Sequence, residues 1–272
     1  MASQKVAVVT GANKGIGYFI VRRLCKEFKG DVLLTSRSVE RGQAAVKQIE
    51  SEGLKVKFHQ LDINDDKSIA ELKSYLETEY GGLDILVNNA AIAFKRAATE
   101  PYAEQARVTI DCNYFGTLRV CKALLPLLRS HSRVVYVSST VGLLKVVSPP
   151  LREKFSSPNL SESELSQLMD QFVSDVKSGI HEKNGWPTNS AYGVSKVGTT
   201  ALMKVHARLL ASRGLEDVIV NACCPGWCQT DMTSRTGHKT AEEGADTPTY
   251  LALLPPGSPN GEFWSDRKVI QW

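Results

Sequence analysis

No run of lysine and arginine longer than a few residues occurs in these 272 residues, and the formal net charge is only +4. A balance that mild argues against a nucleic-acid partner. No apolar stretch reaches the ~20 residues needed to span a bilayer, and Met1-Ala2-Ser3-Gln4 carries neither the charged nor the apolar part of a secretory signal. The expectation is a soluble, cytoplasmic protein with no membrane partner. Six cysteines without such a signal read as reduced thiols, not as a disulfide framework. Cys223, Cys224 and Cys228 cluster, but His59, His131, His181, His206 and His238 are scattered singly. A zinc site needs a second ligand pair, so no metal is expected. No internal repeat or low-complexity linker divides the chain, and 42% hydrophobic with 23% charged residues can bury one sizeable core. One domain over 1–272 is expected.

What is present is an alternation of strands and helices, the pattern of a parallel sheet covered on both faces. The sequence predicts strands over 5–10, 31–35, 55–60, 84–88, 133–138, 218–223 and 262–265. It predicts helices over 16–28, 39–52, 67–79, 103–128, 191–212 and 241–253. Asp65 or Asp66 reads as the cap before the apolar stripe Ile69, Leu72, Leu76. The alternation fails over 141–190, where an insertion is expected. Within it Ser161 and Glu164 make a capping box for a helix carrying Leu165, Leu168, Met169, Phe172 and Val176 on one face. Pro149-Pro150 reads as a break before that helix, and Asn184-Gly185-Trp186-Pro187 as a turn after it.

Two short stretches carry chemistry. The predicted strand Lys5–Thr10 runs directly into Gly11-Ala12-Asn13-Lys14-Gly15-Ile16-Gly17 and then a helix. Strand, glycine turn and helix N-terminus form an anion site, because unpaired N–H groups and the helix dipole point at it. Glycine there lets backbone and pyrophosphate approach closely. The spacing is G-x-x-x-G-x-G and departs from G-x-G-x-x-G. Far along the chain, Tyr192 and Lys196 stand four apart on one face of a helix. A phenol with a pKa of ~10 must fall by about 3 units, or ~4 kcal/mol, to donate a proton efficiently at neutral pH. An ammonium about 4 Å away at an effective dielectric of ~20 supplies roughly that much.

Thr10-Gly11-x-x-x-Gly15-x-Gly17, Asn88-Asn89-Ala90-Ala91 and Tyr192-x-x-x-Lys196, in this order over the whole length, resemble the short-chain dehydrogenase/reductase family. Ala91 replaces the family's usual glycine, which bears on the tightness of one turn. The resemblance implies a Rossmann-type doubly wound α/β fold of about seven parallel strands, and a catalytic set Asn113, Ser139, Tyr192 and Lys196. In that set Tyr192 donates a proton, Ser139 holds the substrate oxygen, and Lys196 lowers the tyrosine's pKa and meets the nicotinamide ribose. Asn113 holds a water that relays protons. It also assigns Asp62, with Ile63, to the adenine, Asn89 to the adenosine ribose, and Pro225, Gly226, Cys228, Gln229 and Thr230 to the nicotinamide amide. Asp62 serves equally well as a helix-entry cap, and Pro225 as a strand terminator.

At the end of the second strand stands Thr35-Ser36-Arg37-Ser38, with no carboxylate to repel a 2′-phosphate. Arg37 and Lys14 can pair with that phosphate, which predicts NADPH/NADP+ over the unphosphorylated pair. The insertion, with Gly185-Trp186-Pro187 before Tyr192, is similar to the monomeric carbonyl reductases of the family and implies a monomer. Phe94, Val141, Trp186 and Trp227 are wall candidates for a bulky hydrophobic ketone, aldehyde or quinone, and serve equally as core packing. Phe94-Lys95 and Gln105 match a patch that holds glutathione conjugates in that subgroup, although Arg96 departs from the small apolar residue expected there. A narrow reductase for one steroid, prostaglandin, terpenoid or alkaloid ketone, and a non-catalytic NADPH-sensing protein, stand as alternatives.

Overall fold

The computed structural model describes residues 4–95 and 97–272. Its strands are Val6–Val9 (β1), Asp31–Ser36 (β2), Lys57–Gln60 (β3), Leu83–Asn88 (β4), Leu128–Val137 (β5), Ile219–Cys224 (β6), Phe263–Ser265 (β7) and Lys268–Val269 (β8). They form one sheet ordered β3-β2-β1-β4-β5-β6-β7-β8. Every pairing is parallel except β7 with β8. About seven strands were expected; the eighth is a two-residue antiparallel edge too short to leave a periodic signal.

The helices are Gly15–Glu27 (α1), Val39–Glu50 (α2), Asp66–Glu79 (α3), Tyr102–Ile110 (α4), Thr117–Leu124 (α5), Pro149–Ser156 (α6), Glu162–Lys177 (α7), Ala191–Ala211 (α8), Ala241–Gly244 (α9) and Asp246–Ala252 (α10). Successive residues of β1 feed opposite cores, as the two-residue period of a strand requires. Ala7 and Val9 join Ile20, Leu24, Ile49 and Leu251 on one face. Val6 and Val8 join Leu72, Leu118, Val197 and Met203 on the other. This is the doubly wound architecture the resemblance implied. Strand order reverses between β1 and β4, so a crevice opens beyond their C-terminal ends, where open α/β sheets bind ligands.

Three predicted elements differ. The continuous helix over 103–128 is interrupted by a π-helical turn at Asp111–Gly116, and β5 starts already at Leu128. Pro149 and Pro150 do not break structure but open α6, where proline's fixed φ and missing N–H suit the first turn. The helix over 241–253 divides at Ala245 into α9 and α10. Asp65 is the cap of α3, its Oδ1 accepting from Lys67 N at 2.9 Å.

The insertion is well anchored. Ser161 and Glu164 form both bonds of the capping box of α7. Leu165, Met169, Phe172 and Val176 are buried, with α7 packed on α4 and α8. Gly185 has φ +88°, and a Cβ there would lie 2.0 Å from Ser148 Oγ, so only glycine closes the turn.

Candidate active site

At the crevice, the glycine turn is built by close approach. Gly11 has φ +63°, and a Cβ on it would lie 2.9 Å from Ala90 Cα. One on Gly17 would lie 2.5 Å from Asn89 Nδ2 and 2.8 Å from Gly11 O. Asn89 draws the two segments together, its Nδ2 donating to the carbonyls of Thr10 (2.9 Å) and Gly11 (3.1 Å). Thr10 Oγ1 accepts from the backbone N–H groups of Asn89 and Ala90, both at 2.9 Å. Asn89's amide nitrogen is therefore engaged within the turn, leaving its Oδ1 for any ribose contact. Ala91 does not have positive φ, so the family's glycine is not required here. Lys14 caps α1 without a side-chain bond, and no acidic residue stands in the first turn. With Asn13 and Ile16 half-buried alongside, this is a cradle that side chains would fill and an anion fits.

The loop after β6 faces this turn: a Cβ on Gly15 would be 3.6 Å from Thr230 Cγ2. Pro225 follows the strand directly, and Gly226 turns with φ +88°. Cys228 is buried, and Gln229 N donates to Lys239 O at 2.8 Å. An ion pair that the motifs gave no hint of spans the two loops, Lys14 Nζ to Asp231 Oδ2 at 2.7 Å. Both partners are exposed, so the pair contributes about 1 kcal/mol or less. Arg37 is exposed at the end of β2, and its guanidinium has no hydrogen-bond or salt-bridge partner among the described residues. Asp62 Oδ1 accepts from Asn64 N at 3.0 Å, and Ile63 is buried beside it.

The catalytic candidates meet beyond the end of β5. Ser139 opens a 3₁₀ turn at Thr140–Gly142, its Oγ accepting from Val141 N at 3.3 Å. Tyr192 lies half-buried in the first turn of α8, and its hydroxyl has no hydrogen-bond partner among the described residues. Lys196 is buried, and its Nζ donates to Val137 O at 2.8 Å, 5.5 Å from the Tyr192 ring centre. Asn113 sits in the π-helical turn, its Nδ2 donating to Ile92 O (2.9 Å) and Ser195 Oγ (3.0 Å) and its Oδ1 accepting from Ile92 N (2.8 Å). Ser195 Oγ in turn donates to Tyr192 O at 2.7 Å. Ser195, which the motif reading passed over, thus joins Asn113 to the backbone of the tyrosine; its place inside Tyr192-x-x-x-Lys196 was the available signal.

Ionisation differs from the expectation. Burial, with the nearby Cys224 thiol adding to it, pushes the Tyr192 phenol above its ordinary range. Burial pulls Lys196 down to about 8, against an opposing pull from Cys112, Cys223 and Cys224. The expected net lowering of the tyrosine is therefore not produced by the protein's own groups. Desolvation dominates at the phenol, and the Lys196 ammonium is turned toward the Val137 carbonyl.

The wall candidates separate. Val141 and Trp227 are 46% and 50% exposed, on the turn after β5 and the loop after β6. Met232, not singled out from the sequence, is a third exposed apolar side chain on that loop. Trp186 is core packing instead: it is 4% exposed, meeting Phe155 edge-on and Phe172 at a tilt, with Nε1 donating to Asp175 Oδ2 at 2.9 Å. Phe94 is half-buried and Lys95 exposed, while Gln105 donates to Glu100 O at 2.8 Å. Arg96 lies outside the described residues. Among the described residues no group of three or more His, Cys, Asp or Glu is placed to hold a metal ion, and no helix is long and apolar enough to cross a membrane.

A glycine turn at the reversal of strand order, with a Ser-Tyr-Lys set beyond the C-terminal end of β5 on the same edge of the sheet, defines a dinucleotide-using oxidoreductase. The chain belongs to the short chain dehydrogenase family, whose model matches residues 5–150 and 175–241. The gap between the two matched stretches, 151–174, holds most of α6 and most of α7, within the inserted part. Similar proteins include carbonyl reductase [NADPH] 1 of Homo sapiens, 55% identical over 272 residues and 98% of each chain. The Bos taurus protein of the same name is 54% identical over 276 residues, 100% of this chain and 99% of its own. Among solved structures, salutaridine reductase from Papaver somniferum is 33% identical with a TM-score of 0.87, covering 96% of this chain and 99% of that one. Menthone neomenthol reductase from Mentha piperita is also 33% identical, with a TM-score of 0.80 over 96% and 98%.

Proposed function

We propose that the protein is an NADPH-dependent carbonyl reductase that converts ketones, aldehydes and quinones to alcohols or hydroquinones. Bound NADPH supplies the hydride for the carbonyl carbon. The residues present suit that cofactor: the glycine cradle takes the pyrophosphate, and Arg37, without a carboxylate beside it, takes the 2′-phosphate. Tyr192 donates the proton to the carbonyl oxygen, and Ser139 Oγ holds that oxygen as negative charge develops on it. Lys196, at about 8, is mostly ammonium at neutral pH and stabilises the phenoxide that Tyr192 becomes. Asn113 fixes the backbone of this turn through Ser195.

The observation that carries this reading is the Tyr192 hydroxyl, without a partner among the described residues, on a helix whose Lys196 reaches the end of β5. Tyr192→Phe tests it by NADPH oxidation with a panel of carbonyl compounds. Turnover should fall about a hundredfold or more while NADPH binding persists; unchanged turnover, or loss of binding as well, overturns it. The apolar rim of Val141, Trp227 and Met232 favours bulky hydrophobic substrates. A narrow reductase for one terpenoid or alkaloid ketone is the second reading, favoured by the names of the two plant neighbours; turnover of only one or two of the panel would select it. Retention of both Tyr192 and Lys196 weighs against a cofactor-sensing protein without catalysis. Binding of glutathione conjugates at Phe94, Lys95 and Gln105 belongs to the same proposal; Gln105 Nε2 gives one bond to Glu100 O and keeps its second N–H and its Oε1 for a ligand. A monomeric, cytoplasmic protein belongs to the same proposal, supported by α7 lying across α4 and α8 and by six unpaired cysteines.

A further inference from the structure

We infer that Trp272 is a positioning residue for the turn that carries Ser139. Its indole Nε1 donates to Gly142 O at 2.8 Å, and Gly142 N donates to Ser139 O at 3.0 Å within the same turn. The other side of Gly142 is pressed against the catalytic helix, where a Cβ would lie 2.5 Å from Lys196 Cβ and 2.6 Å from Lys196 C. The Ser139 turn is therefore gripped from two directions, by the backbone of α8 at Lys196 and by an indole arriving from a segment 130 residues further along the chain.

That indole is itself held in place. The β7–β8 hairpin turns at Asp266 and Arg267, both with positive φ, and Ile270 N closes onto Phe263 O at 2.8 Å. Phe263 is buried, and Ile270 and Trp272 pack on the larger core. Lys204 Nζ on α8 donates to Gly261 O at 2.8 Å, tying the helix to the segment that enters the hairpin. Trp272 is thereby referenced to the sheet and to α8, the two elements between which the Ser139 hydroxyl must be aligned. Ser139 Oγ has no bond to Tyr192 or Lys196, so its position relative to them is set by this turn. A hydroxyl that must meet a developing oxyanion within a few tenths of an ångström depends on such support.

The inference rests on the proposed role of Ser139, and two independent readouts keep the two apart. Trp272→Phe preserves a packed ring but has no N–H to give Gly142; Trp272→Ala removes both. With the parent active on a carbonyl substrate, both variants should lower kcat about fivefold to tenfold while the KM for NADPH stays unchanged. Hydrogen–deuterium exchange of the peptide covering 139–147 should be faster in both, with other strand ends unaffected. Trp272→Phe should melt within a degree or two of the parent, which separates positioning from stability. Parental kcat and exchange in Trp272→Phe overturn the inference, as does a loss of kcat that comes with a raised KM for NADPH and a general fall in Tm. Faster exchange at 139–147 in a protein whose parent turns over no carbonyl compound would uphold the support of the turn while striking the function proposed above.

Discussion

Replacing Lys196 by methionine asks what the buried ammonium costs the fold. Methionine keeps the length and apolar stem of the side chain and removes only its charge and its bond to Val137 O. Burial moves the lysine from 10.5 to about 8. Because the folded value lies below the unfolded one, the unfolded chain binds more protons between those limits, so stability rises with pH across that window. The penalty is fully present below about pH 8, where it amounts to about 3 kcal/mol, and has fallen to about 1 kcal/mol by pH 10. The bond to Val137 O is retained by a neutral amine, so its loss in the variant, about 1 kcal/mol, is the same at both pH values. Tyr192 lies above its ordinary range and stays protonated through most of the window. Urea unfolding of parent and Lys196→Met at pH 7 and pH 10 therefore isolates the lysine. The variant should gain on the parent by about 2 kcal/mol more at pH 7 than at pH 10, with carbonyl reduction lost at both. A stability difference that does not change with pH would refute the buried, partly neutralised lysine.

Arg37→Ala should raise the KM for NADPH about tenfold or more and leave that for NADH unchanged, measured by steady-state kinetics with each cofactor. A parent enzyme that uses both equally would overturn the role given to Arg37. The insertion makes a separate claim: sedimentation at micromolar concentration should give the chain mass of 29.8 kDa, and twice that mass would show that α7 does not cover a dimer surface.

Much of this architecture was legible because its causes are local. β1, the glycine turn and the α7 capping box each follow from residues adjacent in sequence, and each stands where the pattern put it. The π-helical turn was illegible because the apolar spacing over 103–128 is unbroken there. Its centre, Asn113, is drawn to Ile92 and Ser195, partners 21 and 82 residues away. Trp186 shows the same limit at a site. An aromatic before the catalytic helix suits a wall or a core equally, and the choice falls to Phe155, Phe172 and Asp175, which only the folded insertion assembles around it.

The tyrosine–lysine pair carries the same lesson into the chemistry. Spacing alone puts Lys196 above Tyr192 and suggests a phenol made acidic at rest. Packing turns the ammonium to Val137 O, 5.5 Å from the ring centre, and burial leaves the phenol firmly protonated. A proton donor in a reduction must hold its proton until the carbonyl oxygen takes on negative charge, so a raised value keeps the donor loaded. In the proposed reaction the help from Lys196 falls on the phenoxide, whose charge would form near an ammonium already in place and poorly screened. The lysine thus acts on the rate at which the proton leaves and not on how fully Tyr192 is protonated beforehand. On the proposed function, that is the reason a fold that loses about 3 kcal/mol by burying this amine at neutral pH keeps it beside Tyr192.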